Sequence, residues 1–148
     1  MMINTTTSTV TTGRAHRYDA DGTEWIQVVA HGSLTAKTPY MIFPGQTGMV
    51  SAAVTGTAAQ YGYLGIPAVG ITSGDTAWLQ VGGRCDSMVT PSLSITAGHA
   101  MTMHNGAVAD SGAAWAGAPA AFAVCTKTTT TDTATDVYLV GEKILTTT

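Results

Sequence analysis

A chain of 148 residues with 10 % charged side chains and a net charge of −3 suits one domain that buries roughly two-thirds of its unfolded surface. Six Lys and Arg leave no basic face for nucleic acid, which is held through many phosphate contacts. The 27 Thr, 22 Ala and 17 Gly, against scarce Leu, Glu and Lys, exclude a coiled coil or helical bundle, and so small a net charge cannot hold the chain open; the composition predicts an all-β protein.

Residues 1–13, MMINTTTSTVTTG, are polar with isolated apolar anchors at Ile3 and Val10. They read as an extended arm, ordered only where something holds it. With no basic start and no apolar stretch, they are not a signal peptide, so synthesis in the cytoplasm is expected. Residues 14–148 form the single β domain. Within Thr23 to His31, Trp25, Gln27 and Val29 alternate with Ile26, Val28 and Ala30. That is a strand, expected to be buried on both faces at its centre. Gly32-Ser33 turns the chain, and Pro39 to Phe43 is a second strand, ended by Pro44-Gly45.

Met49 to Tyr63 is Ala- and Gly-rich and reads as pieces of strand and loop. Leu64 to Ile71 is a strand interrupted at Pro67, which belongs at an edge or bulge. The charge-free run from Thr38 to Gly74 carries three prolines and many glycines, so it is no membrane-spanning helix. After the Ser73-Gly74-Asp75 turn, Thr76 to Val81 is a strand closed by Gly82-Gly83. Met88 to Ile95 and His99 to His104 follow. Asn105-Gly106 then predicts a type I′ hairpin into Ala107-Val108. Ala113 to Ala118 allows one helical turn. Ala120 to Thr126 and Asp136 to Val140 form a last hairpin across the Thr-rich residues 127–135, leaving a short tail from Gly141. Turn signals at such short intervals predict a small β-sandwich or barrel.

Two phrases recur. Trp25-Ile26-Gln27-Val28 returns as Trp78-Leu79-Gln80-Val81, and Leu34-Thr35-Ala36 returns as Ile71-Thr72-Ser73-Gly74 and Ile95-Thr96-Ala97-Gly98. Either one β unit is repeated, or a low-complexity composition repeats itself by chance.

Motifs that carry chemistry are missing. There is no phosphate-binding glycine loop, no GxSxG and no HExxH. His99 and His104 fall on opposite faces of a strand, too far apart for one metal ion. The acids at 21, 75, 110 and 132 sit beside Gly, Ser or Thr, and Asp19 belongs to the same Asp-Ala-Asp-Gly run as Asp21, where Asp serves turns. Cys85 and Cys125 read as small buried hydrophobes, with a disulfide left open. No catalytic, cofactor or metal site is expected. Of the tryptophans, Trp25 and Trp78 have apolar neighbours and are expected in the core rather than stacked on sugars. Trp115, in AAWAGAP, is the expected exposed anchor. The arm residues Ile3, Asn4, Thr6 and Val10, with Arg14 directly after the arm, join it as expected partner contacts, because an extended segment can add a strand to a neighbour's sheet.

The stretch GIPAVGITSGDTAWLQV (65–81), with Ser94-Ile95-Thr96-Ala97-Gly98 and Asn105-Gly106-Ala107-Val108, resembles small head proteins of tailed bacteriophages, above all capsid decoration (cement) proteins. That resemblance covers residues 65–140. It implies an all-β, non-enzymatic protein on the exterior of the virion, bound to the major capsid protein and to copies of itself as a trimer or dimer, with no membrane and no nucleic acid as partner. A charge-poor surface of short side chains suits such a role, since little side-chain entropy is lost on contact. The competing readings are a host- or glycan-binding surface module on a virion, and an enzyme whose site carries no motif.

Overall fold

The computed structural model describes residues 15–45, 48–52, 61–90, 94–104, 107–110, 121–130, 132–140 and 145–146. These residues are all-β, as expected, with no helix among them. The strands are β1 (His16–Tyr18), β2 (Glu24–Ala30), β3 (Tyr40–Gly45), β4 (Gly48–Ala52), β5 (Tyr61–Pro67), β6 (Thr76–Val89), β7 (Ala100–His104), β8 (Ala107–Asp110), β9 (Ala123–Cys125), β10 (Ala134–Val140) and β11 (Leu145–Thr146). They are joined in the order β1-β2-β4-β3-β5-β6-β10-β9-β7-β8, with β11 beside β5 and a further pairing of β2 with β6. Every pairing is antiparallel except the short parallel contact of Val29 and Ala30 with Val50 and Ser51. Beyond the crowded pairings at β2 and β6, the sheet stays open and runs out to β8.

Side chains pack into two regions. Ile26, Val28, Ala30, Leu34, Tyr40, Ile42, Leu79 and Val81 form one. The other gathers Met41, Leu64, Ile66, Cys85, Met88, Ile95, Met101 and Phe122 with residues of β9 and β10. Met41 belongs to the second region and its neighbours Tyr40 and Ile42 to the first. Successive strand residues face opposite ways, so β3 is a wall with a packed region on each side.

The central strand β6 departs from expectation. Gly82-Gly83 does not end it; the strand runs through both residues to Val89. Gly83 has φ +84, and a Cβ there would lie 2.9 Å from the Gly22 carbonyl oxygen. The glycine therefore lets the chain pass close to the β1–β2 turn without breaking the strand. Further on, Thr135 is opposite Met88 and Val137 opposite Cys85, so two residues of β6, Asp86 and Ser87, face Asp136 alone. This bulge shifts the inward face by one residue, from Cys85 to Met88. Ser87 takes φ +57, and its N–H donates to Asp136 Oδ1 at 2.9 Å. The expected strand from Met88 to Ile95 is thus two things: the end of β6, and an isolated bridge from Ile95 to Thr129.

Other differences are local. The strand expected to end at Ile71 stops at Pro67, a residue with no N–H to continue the ladder. Ile71 instead bridges Leu34. Strand β1 had no signal in the sequence analysis. Strand β2 is buried on one face only: Ile26, Val28 and Ala30 are covered, while Trp25, Gln27 and Val29 are half-buried. The last hairpin forms as expected, with Val137 opposite Cys125. Its Thr-rich connection is tied down: Thr129 and Ile95 exchange both backbone bonds, Thr128 Oγ1 accepts the Ala97 N–H at 3.0 Å, and Thr135 Oγ1 donates to the Lys127 carbonyl at 3.2 Å. His104 pairs with Ala107, the two-residue spacing that a tight hairpin requires, although residues 105 and 106 themselves lie outside the described residues.

Both recurring phrases are structural. Trp25-Ile26-Gln27-Val28 and Trp78-Leu79-Gln80-Val81 are antiparallel neighbours, with Trp25 opposite Gln80, Ile26 opposite Leu79 and Gln27 opposite Trp78. The Thr phrase is one turn used three times. The carbonyls of Thr35, Thr72 and Thr96 accept the N–H groups of Thr38, Asp75 and His99 at 3.3, 3.2 and 3.1 Å. The third residue of each turn has positive φ: Lys37 at 62°, Gly74 at 88° and Gly98 at 88°, which marks type II. In every copy that residue's N–H donates at 2.8 Å to a neighbouring segment, to the carbonyls of Pro67, Ala30 and Cys125. Ala30 and Cys125 return a bond at 2.9 Å to Asp75 and His99. Pro67 has no N–H to return, and Lys37 O takes the Val89 N–H instead, at 2.9 Å.

Candidate binding face

None of the partner contacts expected from the sequence (Ile3, Asn4, Thr6, Val10, Arg14 and Trp115) falls within the described residues, nor does the helical turn expected at 113–118. Among the described residues, no three His, Cys, Asp or Glu side chains come together as a metal centre requires. What the structure does assemble is an aromatic and cationic face on the outside of β1, β2 and β6.

Its origin is the alternation of β2. Since Ile26 and Leu79 take the core side, Trp25 and Trp78 must stand on the other face, with Gln27 beside them. This corrects the expectation that both tryptophans are core residues: each is half-buried. Strand β1 supplies the third member. Arg17 is opposite Trp25, and its guanidinium carbon lies 5.0 Å from the centre of the Trp25 ring and 5.3 Å from that of Trp78. Both distances are within the range of cation–π attraction.

The group is held from outside. Arg17 Nη2 donates to Asp19 Oδ2 at 3.2 Å, while Nε lies 3.0 Å from Oδ1 as an ion pair without a hydrogen bond of its own. Trp25 Nε1 donates to Thr23 Oγ1 at 3.1 Å, and that hydroxyl donates to Asp21 Oδ1 at 2.7 Å. The Thr23 hydroxyl, with help from the Thr23 N–H at 3.0 Å, holds the Asp21 carboxyl below its ordinary pKa. Asp19 and Asp21 are therefore turn residues, as their neighbours suggested, that also brace the aromatic group. On the reverse side of β1 and β2, Tyr18 donates to Glu24 Oε1 at 3.0 Å and His16 Nδ1 lies 3.4 Å from the same oxygen. Arg17 was legible only as a charge eight residues before Trp25; the turn at 19–23 brings it across.

Elsewhere, Cys85 and Cys125 are both buried and free. They flank Val137 on either side in register. Two interstrand spacings put their Cα atoms about 9.5 Å apart, beyond the reach of a disulfide. Burial pushes the Cys85 thiol above its usual pKa. Cys125 Sγ donates to the Lys127 carbonyl at 2.8 Å.

Comparison by sequence finds no matching family model and no matching curated protein. Comparison by fold finds the head fibre gp8.5 N base of bacteriophage phi29, which superposes with a TM-score of 0.53 over 80 % of this chain and 95 % of that one, at 10 % identity. At that identity, what the two chains share is the fold.

Proposed function

We propose that this protein is a structural component of a phage virion, a β module seated on the outside of the head that strengthens the assembled shell. The likeness to the phi29 head fibre base carries this reading, because it spans nearly the whole of that domain. Attachment as a capsid decoration protein is the finer part of the proposal, and it follows the expectation raised by residues 65–140. The scarcity of charge and the many short Thr and Ala side chains fit a surface made for adhesion to other proteins, with the major capsid protein as partner and a trimer or dimer as its own assembly. Binding only to the assembled lattice stabilises it by mass action, about 2.7 kcal/mol per site at a hundredfold excess over Kd. Repeated over a shell, modest contacts suffice. The protein acts by attachment and not by catalysis.

Cosedimentation of the purified protein with expanded heads and with unexpanded proheads tests the proposal. Saturable association with expanded heads, at a stoichiometry matching lattice positions, supports it. Failure to associate with either particle refutes it.

A further inference from the structure

We draw no further inference here: the strongest candidate, the outer sheet face on which Tyr138 and Val140 of β10 are exposed and Tyr138 lies between Arg84 of β6 and Val124 of β9, carries nothing because nothing in the structure shows what covers it.

Discussion

The threefold turn makes a prediction whose sign differs between equivalent positions. At Gly74 and Gly98 a Cβ would meet nothing within 4 Å, so Ala at either place is penalised only by φ +88, at about 1–2 kcal/mol. Ala also restricts the unfolded chain, which returns about 0.4–1 kcal/mol. Gly74→Ala and Gly98→Ala should each cost about 1 kcal/mol net. The same turn already places a side chain at Lys37, with φ +62. Lys37→Gly removes the left-handed strain and adds unfolded-state freedom, for a net gain of about 0.5–1 kcal/mol. Urea unfolding followed by tryptophan fluorescence measures all three, and the corresponding Tm changes are about 2–4 °C per kcal/mol for a domain of this size. If Lys37→Gly destabilises as much as the two alanine variants do, the three turns are not equivalent and the repeat is one of sequence alone.

Two further predictions concern titratable groups. The Asp21 carboxyl has a folded pKa below its unfolded value, so its stabilising effect is complete above about pH 4 and is lost as pH falls through the lower folded value. Asp21→Asn should lower the urea midpoint at pH 6, with the difference from the parent protein closing as pH falls through the lowered folded value. The Cys85 thiol is shifted upward by burial, which reverses the sign. Stability holds below the ordinary thiol pKa of about 8.5 and declines as pH rises past it, because only the unfolded chain releases the proton there. A thiol reagent should find both cysteines inert until denaturant is added, and exposure to oxidant should leave the native chain without an internal disulfide. Rapid labelling at neutral pH would show that β9 and β10 open far more easily than their burial implies.

How much of this was legible in the residues depended on whether the deciding partner was near in sequence. The alternation in β2, the Thr turns and the two-residue hairpin spacing are local, and they formed as read. The two faces of β2 were harder. Trp25 and Ile26 are both large and apolar, and only the position of β3, carrying Ile42 against Ile26 and Leu79, decides which one is inside. Gly82-Gly83 misled for a similar reason. A glycine pair marks a stop or a close approach equally well, and the distinction depends on Gly22 and Thr23, sixty residues earlier. Strand β1 has three residues, too few for a period to show. It is held by its pairing with β2 and by Arg17 on Trp25 and Trp78, contacts that no spacing announces. The braced aromatic face went unread for the same reason: its cation comes from the strand that the sequence analysis missed.

Met41 and Ile42 are consecutive residues committed to different packing regions, which leaves the molecule no seam along which to divide. Stripping either region bares one side of β3, and the other region then loses its boundary as well. Heat or denaturant should therefore take the protein apart in one event, and a fragment trimmed to keep half of the packed interior would keep none of it.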